Sequence, residues 1–545
     1  MNAAIDELGR RFWAYRLDTD VFACMQSGTP VSRVRPVTQE ESASDAAFAR
    51  EAARTLDAID PQTLEEQDAL NAALMRAAAR DALDAERFYW HERRLGPYAE
   101  PFQWLAPVFT TFAFASLDDA GRYRSLLEDA ANLANSLADF ARGQAARGLA
   151  MPHVEIDAAI AQYSSYIAPE GSAYFIPSRE RLLALPAQEA RALRESAENA
   201  VRDRIRPALQ RLVDELRGAY REAAASGVGI GQYEDGEAFY ASLIRRNTSL
   251  ELTADRIHVT GITELERIGE ALERIRERVG FAGDAAAFHA HLRADPRFFA
   301  ADANVMLAKL ESYAARAAQA VPAFFGALPN APWQIRPLPD ALAQAQTFGY
   351  FQPPTAAEPF GTYFFNAAHP KTTSLISAGA LILHELVPGH HLQLSLQMEN
   401  EMLPAFRRYA SNTAFCEGYA DYAAQLGFEM GVYADAYEEA GRLMQDAFMS
   451  ARLVVDTGMN VLGWSLEQAR AFMAAQTMLS EKEIETETLR YSCDLPGQAL
   501  AYKIGELAIL QTRDRARERY GARFDIRAFH DWLLGNGAVP LEALG

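Results

Sequence analysis

Three cysteines in 545 residues (Cys24, Cys416 and Cys493) are too few for a disulfide framework and argue against a cysteine-rich metal site. Positive charge is also scarce. Lys and Arg number 53 against 73 Asp and Glu, a formal net charge of −20. A chain this acidic lacks the cationic excess that binding to nucleic acid or an anionic membrane requires. Long apolar runs are missing as well. The longest nearly apolar stretch, about Leu375 to Leu383, falls well short of the ~20 residues needed to span a bilayer. Acidic residues follow soon after Met1, and no apolar segment of the secretory type comes next. The expectation is a soluble cytoplasmic protein with neither nucleic acid nor membrane as a partner.

What is present is the composition of a folded protein. Hydrophobic residues make up 49% of the chain, which excludes long disorder. At roughly 100–200 residues per domain, the length allows several domains or one large unit. Alanine, leucine, arginine and glutamate dominate the first 320 residues, with apolar positions at helical spacing. Leu209, Leu212, Val213 and Leu216 lie on one helical face. No fixed-period repeat is found, so a solenoid is disfavoured.

The composition changes between Pro322 and Pro359, where eight prolines (322, 329, 332, 337, 339, 353, 354 and 359) exclude a long helix. Thr347-Phe-Gly-Tyr-Phe-Gln and Gly361-Thr-Tyr-Phe-Phe-Asn predict a small β-element of two or three strands. Helical patterning resumes near Leu375. The predicted fold class is mainly α, with a helical portion over 1–320, a proline-rich segment with short strands over 321–370, and a helical portion over 371–545. These are domains or lobes of one unit.

Of ten histidines, three fall in Leu381-Ile-Leu-His384-Glu385-Leu-Val-Pro388-Gly389-His390-His391-Leu-Gln393. In the zinc-hydrolase pattern HExxH, histidines at i and i+4 share a helix face and the glutamate acts as general base. Here the i+4 position is Pro388, so the plain pattern fails. On an unbroken helix His391 would share the face of His384 but lie about 10 Å along the axis, too far for one metal ion. Pro388-Gly389 is where a helix would break, since proline removes a ladder hydrogen bond and glycine tolerates unusual dihedrals. His390 needs the smaller distortion and is the preferred second ligand, with His391 outside the metal. Downstream, Glu417 is separated from His390 by enough chain for a helix end and a return, and would complete a His₂Glu set. Asp421, one turn later on the same face, is placed to accept the free N–H of a ligand histidine.

His-Glu-x-x-Pro-Gly-His-His-Leu-Gln at 384–393 resembles the signature of a large bacterial family long catalogued only as a domain of unknown function, related to zinc metallopeptidases of the thimet oligopeptidase and gluzincin type. Further matching segments are Glu417-Gly-Tyr-Ala, Arg452-Leu-Val-Val-Asp456-Thr-Gly, Gly463-Trp-Ser, Arg490-Tyr491, Pro496-Gly-Gln-Ala-Leu-Ala-Tyr502-Lys503-Ile-Gly505 and Phe524-Asp-Ile-Arg-Ala-Phe-His530. The resemblance is densest over 345–540. It implies a large helical metallopeptidase-like fold with a deep central cleft, a small β-element beside the active-site helix and one Zn²⁺ per chain. It also places His390 and Glu417 in the second and third ligand positions. The chain departs from the pattern at Asn460, where the family often has histidine, at Tyr419, where it often has tryptophan, and at Asp421, where it often has an apolar residue. These departures leave the ligand set intact and bear on substrate preference.

The expected function is a zinc-dependent hydrolase cleaving short peptides. Glu385 serves as general base, Tyr502 is the first candidate to support the oxyanion, and Arg490 is the second. Tyr502 is expected on a loop swung inward by the Pro496-Gly497 turn. The stretch Gly361 to Asn366 is expected to offer an edge strand to an extended peptide. His258 and Lys503 are expected to line the cleft, and His391 to contact substrate or pair with an acid. Two alternatives stand beside this reading: a zinc-dependent amidase or deacylase acting on a non-peptide metabolite, and a non-catalytic helical binding protein with a vestigial site. Substrate identity, cleavage direction, the native metal, the choice between His390 and His391 as second ligand, and oligomeric state are left open by the sequence.

Overall fold

The computed structural model describes residues 2–339, 349–355 and 358–544. The described residues are mainly helical, with one small sheet. Contacts divide the chain into two compact units: residues 1–242 with 489–496, and residues 243–488 with 497–545. These boundaries follow contact density, whereas the three portions drawn from the sequence follow composition.

The first unit is all helix. Its principal elements are α1 (Ala3–Thr19), α2 (Gln39–Asp57), α3 (Glu66–Arg87), α4 (Leu117–Ala145), α5 (His153–Ile167) and α6 (Arg206–Arg217). α4 starts at a capping box in which Ser116 and Asp119 satisfy each other's backbone N–H groups. α6 buries Leu209, Leu212, Val213 and Leu216, the face marked by the sequence periodicity, against α4 and α5. The returning segment 489–496 is tied in by hydrogen bonds from Gly229 N to the Ser492 carbonyl (3.2 Å) and from Tyr98 N to Asp494 (3.4 Å).

The second unit carries α7 (Ala254–Arg278), the strands β1 (Trp333–Pro337), β2 (Tyr350–Gln352) and β3 (Gly361–Phe365), and the helices α8 (Ala378–Glu385), α9 (His390–Glu399), α10 (Thr413–Leu426), α11 (Ala436–Asn460) and α12 (Leu500–Tyr520). α7 packs along α11, and α10 along α12. The second pair approaches closely because glycine meets glycine. A Cβ on Gly418 would stand 2.3 Å from the Gly505 backbone.

The sheet order is β1-β3-β2, with β1 parallel and β2 antiparallel to β3. This corrects one expectation. Gly361–Phe365 is the central strand and is bonded on both sides, so it offers no edge to a peptide. The short strands on either side of it hold those positions. Thr347 and Phe348 of the predicted β-piece lie outside the described residues. Among the described residues no helix is long and apolar enough to cross a membrane, and all three cysteines are free and buried.

Candidate metal centre

The break predicted at Pro388-Gly389 is present. α8 ends at Glu385 and α9 begins at His390. The chain between them folds back tightly, because a Cβ on Gly389 would lie 1.9 Å from the His384 carbonyl oxygen and 2.3 Å from that of Leu383. Only glycine fits there. The Tyr419 hydroxyl on α10 donates to the Pro388 carbonyl at 2.8 Å and pins the turn to the helix that carries the acidic residues.

The turn brings the His384 and His390 rings to 4.7 Å between centroids, nearly perpendicular at 84°. α10 places Glu417 opposite both. Its Oε2 is 3.5 Å from His384 Nε2 and 3.2 Å from His390 Nε2. One ligand atom from each of the three residues lies within 4.8 Å of the other two, and this is the metal-ligating cluster found among the described residues. On the far side of His384, Nδ1–H donates to Asp421 Oδ1 at 2.9 Å. In the neutral ring that bond places the proton on Nδ1, and Nε2, which faces Glu417 and His390, is the nitrogen left to a metal. Two imidazoles and a carboxylate, with one imidazole oriented from behind, form a donor set that suits Zn²⁺.

The electrostatics follow from burial and crowding. Burial acts to lower the pKa of His384, but its hydrogen bonds to Asp421 and Glu417 outweigh this and push it up to about 10. Burial acts to raise Glu417, yet the adjacent His390 and His384 hold it well below the usual carboxylate range. Both shifts describe a site in which a positive charge at the nitrogens is strongly favoured, and a divalent cation would meet that demand in place of protons. Glu385, next in sequence to His384, is pushed upward by burial and by the Glu417 carboxylate, while the two histidines oppose the shift. A carboxylate with a raised pKa beside a cation site has the proton affinity of a general base.

The remaining predicted residues occupy varied places. The Tyr502 ring stacks on His384 at 6.1 Å and 14°, with the Arg452 guanidinium 4.7 Å from its centroid. Tyr502 sits in the first turn of α12 and not on a loop, which corrects the expected route. His391 is 1% exposed, and its Nε2 is bonded to the Ala331 carbonyl at 3.0 Å. Burial lowers its pKa to about 4, so it is a neutral imidazole bracing the turn against the sheet segment. His258 bonds Thr457 at 3.0 Å and meets Trp464 edge-on, within the packing of α7 on α11.

Lys503 is 1% exposed and held by Asp446 (2.6 Å), Glu506 (2.9 Å) and Glu264 (3.0 Å). The expectation that it lines a cleft is corrected, because three carboxylates consume its charge inside the helix packing. Arg490 belongs to the first unit, in a wide helical turn over Arg490–Asp494, with its guanidinium 5.8 Å from the Tyr98 ring centroid.

Several residues near the cluster escaped the sequence. Phe351 of β2 stacks on His390 at 6.3 Å and 21°. Its place in an aromatic strand hinted at burial but not at which ring it would meet. Buried Tyr363 of β3 feels the Glu385 charge, which adds to the rise of its pKa caused by burial. Arg442 on α11 donates to the Asp421 carbonyl (3.3 Å) and to Glu506 (2.9 Å), and so links the histidine–aspartate pair to the Lys503 cluster. No local signal marked Arg442, because an arginine in an amphipathic helix is usually solvated.

Comparison with known proteins matches residues 24–545 to the model of a family described as "Bacterial protein of unknown function (DUF885)". The fold is similar to the crystal structure of a "putative lipoprotein" from Colwellia psychrerythraea, with a TM-score of 0.88 at 24% identity, covering 100% of this chain and 98% of that one. It is also similar to a "putative lipoprotein of unknown function" from Shewanella oneidensis, with a TM-score of 0.74 at 18% identity, covering 100% and 99%. No curated protein matches the chain.

Proposed function

The chain belongs to the DUF885 family of bacterial proteins, and from that footing we propose that it is a zinc-dependent hydrolase of the gluzincin type that cleaves short peptides. The observation that carries this reading is the convergence of His384, His390 and Glu417 ligand atoms within 4.8 Å, with Glu385 adjoining them. These three side chains would hold one Zn²⁺ per chain. When bound, zinc supplies Lewis acidity, which lowers the pKa of water to roughly 7 and polarises a substrate carbonyl.

The chain's own residues do the rest. Asp421 keeps the His384 proton on Nδ1 and leaves Nε2 as a donor to the metal. Glu385 takes a proton from water and delivers it to the leaving amine, a role that matches its upward-shifted pKa. Tyr502, stacked beside His384, is the proposed hydrogen-bond donor to the developing oxyanion. Phe351 closes one side of His390 with apolar surface.

The test measures zinc content and hydrolysis together. Wild type and Glu385→Gln are expected to hold near one zinc per chain, and His390→Ala and Glu417→Ala to lose it. Only the wild type should cleave a panel of short peptides. A wild type that holds no metal after zinc addition overturns the reading. Turnover confined to N-acyl compounds keeps the zinc site and replaces the peptidase with an amidase or deacylase.

A further inference from the structure

The first unit contains a cavity of about 620 Å³, within the range of small-molecule sites and remote in sequence from every residue of the metal centre. Its walls come largely from α1, α2 and α3. Alanines predominate, among them Ala49, Ala79 and Ala82, beside Met75, Leu105 and Leu133. Small side chains on facing helices leave open a volume that a close-packed interior would otherwise fill.

The charged groups at this cavity are not equivalent. Arg16 is bonded to Asp20 at 2.6 Å, and Arg35 to Glu41 at 2.5 Å and Asp45 at 2.8 Å. The acids are thereby matched. Arg94 also lines the cavity. Its Nε is buried without a hydrogen-bond partner, and among the described residues no carboxylate pairs with its guanidinium. The Arg94 charge acts on the phenol of Tyr89, another lining residue, and Leu105 and Leu133 line the same cavity. A half-buried guanidinium with no paired anion is geometrically suited to a carboxylate, which it takes through two parallel hydrogen bonds. Apolar walls beside it call for a hydrocarbon chain on that carboxylate.

We propose that this cavity binds an amphipathic carboxylate of the fatty-acid type, with its head group on Arg94 and its chain along the alanine-lined wall. The site is independent of the metal centre and of any hydrolysis there.

Calorimetric titration of the full chain with octanoate, decanoate, dodecanoate, dodecanol and a leucine tripeptide tests it. Binding is expected to be saturable at one site and to tighten about fourfold per added methylene. Dodecanoate should bind about tenfold or more tighter than dodecanol. Arg94→Gln should abolish the preference for the acid, and Arg94→Lys should restore part of it. Ala82→Phe, which fills the chain path and leaves the guanidinium in place, should weaken every chain length and keeps the test decisive if the Arg94 variants do not fold. Equal affinity for acid and alcohol, no dependence on chain length, unchanged affinity in Ala82→Phe, or tighter binding of the tripeptide than of any fatty acid would each overturn the proposal.

Discussion

His384 Nδ1 and Asp421 Oδ1 stand 2.9 Å apart in a bond that joins residues 37 positions distant in sequence, and Asp421 is fully buried. A hydrogen bond to the non-ligating nitrogen of a metal histidine orients the ring and raises its basicity. Asp421→Asn keeps the shape but offers a weaker acceptor. Zinc affinity measured by chelator competition is expected to fall about 10–100-fold, with the fold unchanged by circular dichroism. Unchanged affinity would leave the pair a purely structural one.

Under the proposed hydrolase function, Glu385→Gln would remove the proton acceptor and spare the atoms that would hold zinc. Metal content should stay near wild type while kcat falls by about 10²–10⁴, with little change in KM. Steady-state kinetics on zinc-loaded protein check this. Full activity in the variant would remove Glu385 from proton transfer.

Gly389→Ala tests the turn. The added Cβ would stand 1.9 Å from the His384 carbonyl oxygen, so the backbone between α8 and α9 must open. Overpacking of this kind costs about 1–3 kcal/mol, and the displacement falls on His384 and His390, the two proposed ligands. Loss of zinc with a modest decrease in Tm is expected. Wild-type zinc binding would show that the turn tolerates a side chain.

Lys503→Met separates stability from substrate binding. The ammonium sits between Asp446 and Glu506 where both are buried, and removing it leaves two buried carboxylates sharing less positive charge, with Arg267 still on Asp446 and Arg442 still on Glu506. Chemical denaturation should show a loss of about 3–5 kcal/mol, with KM for a cleaved peptide little changed in the protein that remains folded. A large KM effect with normal stability would return Lys503 to the substrate site.

The first unit holds a buried acidic pair, Glu155 and Asp494, 3% and 2% exposed. Burial raises both carboxyls; the Glu155 charge raises Asp494 further, whereas the hydrogen bond to Asp494 offsets part of the rise at Glu155. The folded state therefore retains protons that the unfolded chain releases above about pH 4. The stability due to this pair is fully present below that pH and is lost as pH rises through the elevated folded-state pKa values. Tm followed from pH 4 upward should fall more steeply in wild type than in Glu155→Gln, which cannot ionise. Identical slopes would place the pH dependence elsewhere.

The sequence by itself determined what is local. Leu209, Leu212, Val213 and Leu216 marked a buried helix face because periodicity of 3.6 residues is a property of neighbouring positions. Proline density excluded a long helix before β1 and β3. Pro388-Gly389 marked where a break between His384 and His390 would fall, because one residue removes a ladder hydrogen bond and the other tolerates unusual dihedrals. Glu417 and Asp421 could be placed on one helix face one turn apart.

Only the tertiary structure decided which distant groups meet. The pairing of β3 on both sides depends on β1 and β2, which are short segments with no marker of order. Lys503 carried no sign of the three carboxylates that surround it, since Glu264 and Asp446 come from α7 and α11. Arg94 looks like any surface arginine until its surroundings are known. Backbone preference and periodicity act over a few residues, whereas the partner of a buried charge is selected by how whole helices pack, and that selection fixes whether a side chain binds a ligand or holds the fold together.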